Sequence, residues 1–224
     1  ARDLGLWFVP GSIHERDGDR IYNTAPVIDP SGHVVARYRK MFPFLPYERG
    51  VTPGTEFVVF DVPKSGRFGV SICYDMWFPE TTRSLVSLGA EVILHPTMTN
   101  TIDRDVEICM ARSSAMTNQC YFVDVNVAGE LGVGQSVICG PGGEVIYQAG
   151  VGREIMPFEV DFAYLRRCRA RGWWTPCFRS RDRISSRRSD MGSFPMGAHS
   201  SRGGWRSSTT KRPRRVTSLQ GRQP

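Results

Sequence analysis

Long apolar segments are absent from this 224-residue sequence. No run approaches the roughly 20 residues that a transmembrane helix needs, and no signal peptide opens the chain at Ala1, so no membrane partner is predicted. The six cysteines form no Cys-x-x-Cys pair and lack the spacing of zinc ligands. This pattern argues against a structural zinc site and favours reduced thiols and a cytoplasmic location.

Motifs for cofactors are missing too. No glycine-rich phosphate loop lies between a strand and a helix, and the Gly-Pro-Gly-Gly sequence at residues 140–143 is typical of a hairpin turn. No cluster of metal ligands is visible. We therefore predict neither a cofactor nor a metal.

Basic residues are scarce outside the end of the chain. The formal net charge is +7, but residues 1–165 contain 13 basic and 20 acidic residues, whereas residues 166–224 contain 16 and 2. The basic pI therefore belongs to the last part of the chain, and it does not make the whole protein a nucleic-acid binder. We predict one folded domain over residues 1–183 and a disordered basic tail rich in Arg and Ser over residues 184–224.

Alternating strand and helix patterns predict the α/β class. Residues 68–127 read as strand, helix, strand, helix and strand, an order that implies parallel strand pairing. A hairpin precedes them, with strands at residues 22–28 and 33–38, and the polar residues 13–20 are predicted to be a loop. The other predicted strands cover residues 6–9, 57–61, 92–95, 121–127, 135–139 and 144–148.

The end of the strand at residues 68–72 is the first candidate for chemistry. It leads to Cys73, a turn follows over residues 74–78, and Pro79 suits the first position of a helix. A side chain at such a corner points away from the sheet, with backbone N–H groups beside it, which is the geometry of a covalent nucleophile. A lone cysteine after an apolar strand is more often a buried small hydrophobic residue, so both interpretations stay open from this stretch alone.

Several short motifs support the first interpretation because they occur together and in order over residues 5–170. They are Tyr38-Arg39-Lys40, Pro46-Tyr47-Glu48, Ser71-Ile72-Cys73-Tyr74-Asp75, Phe78-Pro79-Glu80, Gly89-Ala90-Glu91, Ala111-Arg112, Asn118-Gln119, Asn126 and residues 140–143. In these motifs the chain resembles the carbon–nitrogen hydrolase, or nitrilase-like, superfamily. The resemblance implies a four-layer αββα sandwich, a Cys-Lys-Glu active site and a homodimer or higher homo-oligomer.

The resemblance also implies a role for each residue. Cys73 is the expected nucleophile, and Lys40 together with the backbone N–H of Tyr74 is expected to hold the developing oxyanion. Taken alone, Lys40 would be a solvated surface lysine. Glu48 either orients Lys40 or the substrate amide, or has only a capping or surface role, and the two interpretations are about equally supported.

The substrate is expected to be a small amide or carbamoyl compound, because amidase and carbamoylase branches of the superfamily tend to have Tyr-Asp after the nucleophile, as Tyr74-Asp75 do here. The pocket is expected to include Phe44, Trp77, Thr97 and Met98. His95 is interpreted as a strand-end residue. Asp75 and Glu80 are expected to tie the turn to the start of the helix.

One departure from the family pattern is large. The family's general-base glutamate lies on an early strand, and no residue of this sequence fills that place. We expect a chain truncated at its N-terminus, without the first strand and helix, and with little activity. A non-catalytic scaffold is the alternative, and binding of nucleic acid or an acidic partner through the tail is a weaker one. The tail is either natural or the product of a shifted reading frame.

Overall fold

The computed structural model describes residues 1–171. Its first sheet is antiparallel, with strands β1 (Ile13–Asp17), β2 (Arg20–Ile28) and β3 (Val34–Arg39) in that order. The turn between β2 and β3 is fixed by Asp29, whose Oδ1 accepts hydrogen bonds from the backbone N–H groups of Ser31 and His33, each at 2.9 Å. Such local side-chain bonds are how aspartate stabilises turns.

The second sheet has six strands, which are β4 (Val58–Val62), β5 (Gly66–Val70), β6 (Val92–Thr97), β7 (Tyr121–Asn126), β10 (Val137–Cys139) and β11 (Val145–Gln148). Their order across the sheet is β11, β10, β7, β6, β5, β4. Two short strands, β8 (Ala128–Gly129) and β9 (Gly132–Val133), form a separate small hairpin. Strands β5, β6 and β7 are parallel, and the other pairs are antiparallel. Parallel strands end at one edge, where α/β folds commonly place their sites.

Helices cover one face of this sheet. They are α1 (Pro79–Ser87) and α2 (Arg104–Asn118), and their buried side chains pack with Ile93 and Phe122 of the sheet in one apolar cluster. Successive strand residues point to opposite faces, so Val92 and Tyr121 lie on the other face, where Leu165 of helix α3 (Phe162–Arg171) covers them.

The first sheet covers the rest of that second face. Val70 and Ile72 pack there with Ala25, Val27 and Tyr38 in a fully buried cluster. Helices α1 and α2, the six-stranded sheet and the three-stranded sheet therefore form successive layers. The α/β class and the parallel pairing over residues 68–127 are confirmed, and the described residues build three of the four expected layers.

Two local predictions were wrong. Residues 13–20 are not a loop, because β1 pairs with β2 along its whole length. Four of its five residues are exposed, so no apolar alternation marks it as a strand. Residues 6–9 do not form a strand, since only Phe8 bridges to Ile28. The predicted tail at residues 184–224, and the last part of the predicted domain, lie outside the described residues.

Candidate active site

Cys73 lies at a sharp break between β5 and α1. A short 3-10 helix over Cys73–Trp77 joins the two elements. The φ angle of Cys73 is 47°, in the left-handed region that residues other than glycine seldom adopt. Its side chain is partly buried and lines a large cavity. A strained residue at a strand-to-helix turn is the arrangement that presents the nucleophile in α/β-hydrolases.

Asp75 holds this turn in place. Its Oδ2 accepts hydrogen bonds from the Ile72 N–H at 2.9 Å and from the Tyr38 hydroxyl at 2.7 Å, and its Oδ1 accepts one from the Phe42 N–H at 2.9 Å. Burial raises the pKa of Asp75, although these donors act in the opposite direction. The side chain of Asp75 therefore ties the turn to β3 and the segment after it, and not to the start of α1 as expected.

Lys40 follows the end of β3 and is only 2% exposed. It is thus no solvated surface lysine. Its Nζ donates to Glu48 Oε2 at 2.5 Å. The backbone around it is closely packed: Gly54 donates its N–H to the Lys40 carbonyl at 2.8 Å, and a Cβ at Gly54 would lie 2.1 Å from the carbonyl oxygen of Arg39. Only glycine fits at that position without a shift of the Lys40 segment.

Glu48 is held by three donors. Besides Lys40, the Phe44 N–H donates to its Oε2, and Asn23 Nδ2 donates to its Oε1 at 2.7 Å. Burial opposes ionisation of Glu48, but the hydrogen bonds from Lys40, Phe44 and Asn23 outweigh it and hold its pKa below the usual value. The Lys40–Glu48 pair is therefore an ion pair near neutral pH.

His95 lies beneath the turn, near the end of β6. Its Nδ1 is 2.8 Å from Ser71 Oγ, its ring packs against Phe122, and its Nε2 has no hydrogen-bond partner. Complete burial, together with the positive charges of Arg104 and Lys40, lowers its pKa to about 3. The imidazole is consequently neutral at physiological pH, and its packing agrees with the role of a strand-end residue.

Cys73, Lys40, Glu48 and His95 border one open cavity of about 1140 Å³. Its lining includes every predicted site residue: Cys73, Lys40, Glu48, Tyr74, Phe44, Trp77, Thr97 and Met98. Phe44 and Tyr74 contact each other with ring centroids 4.8 Å apart, so aromatic rings form one wall near the thiol. The structure brings the predicted residues together, and their catalytic roles stay predictions.

A buried charged cluster behind this cavity was not predicted. Arg104 is 2% exposed, and its Nη1 lies 2.8 Å from Asp124 Oδ2 and 3.2 Å from Glu107 Oε2. Burial raises the pKa of Asp124 to about 7 against the opposing effect of Arg104. The three residues lie on α2 and β7, so only the spacing of Arg104 and Glu107 along one helix could have indicated part of the cluster.

Within residues 1–171, no group of three His, Cys, Asp or Glu side chains is placed to hold a metal ion. None of the helices found there has the length and apolarity required to cross a bilayer.

Comparison with known proteins agrees with this architecture. A family model described as carbon-nitrogen hydrolase matches residues 1–170. Omega-amidase NIT2-B of Xenopus laevis is 30% identical over 184 residues, covering 75% of this chain and 66% of the relative. The crystal structure of Saccharomyces cerevisiae Nit3, a member of branch 10 of the nitrilase superfamily, superposes with a TM-score of 0.71 at 32% identity, covering 78% of this chain and 67% of that one.

A second solved structure bears on the thiol. It is a mutant of the amidase from Nesterenkonia sp. AN1 showing covalent addition of the acetamide moiety of fluoroacetamide at its active site cysteine, with a TM-score of 0.63 and 28% identity over 67% of this chain and 59% of that one. This chain spans about two thirds of the length of the curated relatives it matches. The matched residues and the shared sandwich show that the chain belongs to the carbon–nitrogen hydrolase family, within the nitrilase superfamily.

Proposed function

We propose that this protein hydrolyses a small amide or carbamoyl compound to an acid and ammonia through a thioester on Cys73. One observation carries the proposal: the cysteine at the strained turn opens into the same cavity as a buried lysine that is paired with a carboxylate. The lysine, held in that pairing, supplies ammonium N–H donors to the cavity that also holds the thiol, which suits attack on a carbonyl.

The first half-reaction forms the thioester. Sγ of Cys73 attacks the amide carbon, and the carbonyl π electrons move to oxygen. When the tetrahedral adduct collapses, the C–N bond breaks and the nitrogen leaves as ammonia, having gained the proton that the thiol lost. The products are the acyl thioester and one molecule of ammonia.

In this proposal Lys40 stabilises the oxyanion of that adduct. An ammonium held in a buried site loses little energy to reorganisation when the negative charge develops. The backbone N–H of Tyr74, the residue after the nucleophile, is the second donor in this proposal. Glu48 already accepts from three donors, which suits the task of holding Lys40 better than that of accepting a proton.

The second half-reaction restores the enzyme. A water molecule adds to the thioester carbon, the C–S bond breaks, and the acid leaves while the thiol regains a proton. The aromatic wall formed by Phe44 and Tyr74, with Trp77 beside it, offers apolar surface for the body of a small substrate. Assembly into a homo-oligomer and a cytoplasmic location remain predictions.

The test is release of ammonia by the 224-residue protein from a panel of small amides, carbamoyl amino acids and nitriles. Because no residue fills the place of the family's general-base glutamate, we expect only slow release from amides or carbamoyl compounds, and none above background from a Cys73→Ala variant. Cys109→Ala is the matched control, since Cys109 is exposed and does not line the cavity. Release that persists in Cys73→Ala would contradict the proposal. Silence of the folded protein across the whole panel would favour a non-catalytic scaffold.

A further inference from the structure

The backbone at Cys73 is strained and must be held by its surroundings. Its φ angle of 47° lies in the left-handed region, and for a residue other than glycine such a conformation is disfavoured by about 5- to 150-fold. Asp75 holds one side of the turn, where it accepts hydrogen bonds from the Ile72 and Phe42 N–H groups. The other side of the turn, towards the layer of helices α1 and α2, is held by a different pair of side chains.

Ser71 and His95 form that pair. Ser71 extends the pairing of β5 with β6, since its N–H donates to the Leu94 carbonyl at 3.2 Å, and its Oγ lies 2.8 Å from His95 Nδ1. The two residues are 0% and 1% exposed, so water has little access to this hydrogen bond. Neighbours along a strand point to opposite faces, and Ile72 packs towards the first sheet, so Ser71 lies on the face that carries the helices.

His95 is itself held by its neighbours. Besides the hydrogen bond to Ser71, its ring packs against Phe122 with ring centroids 5.2 Å apart. Across the sheet it stands opposite Asp124 of β7, and Asp124 Oδ2 lies 2.8 Å from Arg104 Nη1. The imidazole therefore has little freedom to move away from the turn that carries the nucleophile.

The imidazole also lies beside the main chain of Cys73. Burial and two nearby cations lower the pKa of His95 to about 3, and the Cys73 carbonyl, an acceptor beside the ring, acts in the opposite direction. The contact is not a hydrogen bond, because Nε2 has no partner and Nδ1 is engaged with Ser71. The ring thus fills the space next to the Cys73 carbonyl and limits how the following peptide can turn.

That peptide carries the second oxyanion donor of the proposed mechanism. The Cys73 carbonyl and the Tyr74 N–H belong to one planar trans peptide, so they point in opposite directions. A carbonyl on the side of the buried imidazole turns the Tyr74 N–H away from the interior. Within the part of the chain that the structure describes, this N–H has no acceptor, and Tyr74 borders the cavity.

Packing alone gives no reason for a polar ring at this place. The neighbours of His95 on the same sheet face include Ile93 and Phe122, which belong to an apolar cluster. A buried polar atom without a partner, such as His95 Nε2, costs free energy of folding. A phenylalanine ring would fill a similar space without that cost.

We infer that His95 is a positioning residue, which acts through Ser71 and the Cys73 peptide to hold the thiol and the Tyr74 N–H in the mutual arrangement that acyl transfer needs. This inference rests on the proposed function, because it concerns the same nucleophile and the same oxyanion donor. His95 takes no proton from the thiol in this scheme, since its free nitrogen makes no hydrogen bond to Cys73.

Two reactions of Cys73 distinguish positioning from a general loss of structure. p-Nitrophenyl acetate transfers its acetyl group to the thiol through an oxyanion and releases p-nitrophenolate. Iodoacetamide alkylates the thiol by displacement of iodide, and no oxyanion forms. Both products are mapped to Cys73 by peptide mass spectrometry. A merely structural role would change access to the thiol and so both rates alike, whereas a positioning role changes the ratio of acetylation to alkylation.

Ser71→Ala and His95→Phe each remove the hydrogen bond between the pair. We expect each to lower the ratio of acetylation to alkylation by about 10- to 100-fold. His95→Gln should recover most of that loss, because glutamine keeps a hydrogen-bonding group for Ser71. Ser136→Ala is the matched control, since Ser136 is 6% exposed, its hydroxyl bonds to the Asn126 main chain, and it does not line the cavity. Ratios in Ser71→Ala and His95→Phe equal to that in Ser136→Ala would overturn the inference.

This readout needs no amide turnover, so the two proposals can fail separately. If no amide is hydrolysed but the ratio falls as expected, the proposed function fails and the positioning role stands. Where amides are hydrolysed, kcat should fall in Ser71→Ala while KM changes little. A kcat equal to that of Ser136→Ala would overturn the positioning role and leave the proposed function intact.

Discussion

The hydroxyl of Tyr38 donates a 2.7 Å hydrogen bond to Asp75 Oδ2 in the interior of the protein. Tyr38 precedes Lys40 by two residues, and Asp75 follows Cys73 by two residues. The bond therefore joins the two segments that carry the proposed oxyanion donor and nucleophile. Both side chains are fully buried, so their distance from one another is fixed by packing as well as by the bond.

Removing this hydrogen bond should lower both the stability of the folded protein and its rate of amide hydrolysis. Tyr38→Phe leaves one buried acceptor with fewer donors, and we expect about 1–3 kcal/mol lower free energy of unfolding in urea. If Asp75 positions the two segments, kcat should fall more than KM rises in the folded variant. Tyr147→Phe is a control, since that tyrosine lies partly exposed on edge strand β11. An unchanged kcat in Tyr38→Phe would contradict the positioning role.

The pairing of Lys40 with Glu48 predicts strong coupling between them. Lys40→Met leaves a largely buried carboxylate without its cation, and Glu48→Leu leaves a buried ammonium. We expect either change to cost about 3–5 kcal/mol of stability. The double variant should be more stable than the sum of the single effects predicts, because no buried charge remains. Additive losses in this double-mutant cycle would show that the ion pair is not formed.

The double variant of this pair also allows the effect on catalysis to be measured apart from the effect on stability. The double variant Lys40→Met/Glu48→Leu should fold and yet lack the oxyanion donor, so ammonia release should fall by about 10²–10³-fold or more. Circular dichroism and thermal melting would establish folding in the same samples. Activity close to that of the unmodified protein would exclude Lys40 from the proposed mechanism.

His95 makes stability depend on pH. Burial and two nearby cations lower its pKa from 6.5 to about 3. Between these values the unfolded chain binds a proton that the folded protein does not, so this residue's contribution to stability is complete above pH 6.5 and is lost as pH falls towards 3. The loss approaches about 1.4 kcal/mol per pH unit in that window.

His95→Gln tests this assignment, because glutamine retains a hydrogen-bonding group for Ser71 but does not titrate. We expect the variant to be less stable at neutral pH and to lose stability less steeply between pH 6 and pH 4, as measured by urea unfolding. His14→Gln is the control, since His14 lies exposed on β1. Parallel pH profiles for the unmodified protein and His95→Gln would contradict a neutral, buried His95.

The sequence carried more information about the site than about its surroundings. Cys73, Lys40 and Glu48 could be singled out because they stand in ordered motifs and because a strand, turn and helix around Cys73 place it at a sheet edge. The parallel strands followed from the same alternation of elements. Local pattern is sufficient for such features, since each depends on neighbours in the chain.

Features that depend on tertiary pairing could not be predicted. Strand β1 has no apolar face and exists because β2 offers it a partner. The contact of Arg104 with Asp124 depends on how α2 lies against β7, and that of Ser71 with His95 depends on the register of β5 against β6. Asp75 was expected to bind the start of α1, but the β3 segment supplies two of its donors.

The most direct test of the proposed thioester is to measure the mass of the intact protein by mass spectrometry, after turnover of an amide substrate is stopped by rapid acid quenching. We expect an adduct whose mass equals that of the acyl group, mapped by peptide mass spectrometry to Cys73, sensitive to hydroxylamine and absent from Cys73→Ala. An adduct on another cysteine, or undiminished turnover in Cys73→Ala, would contradict it.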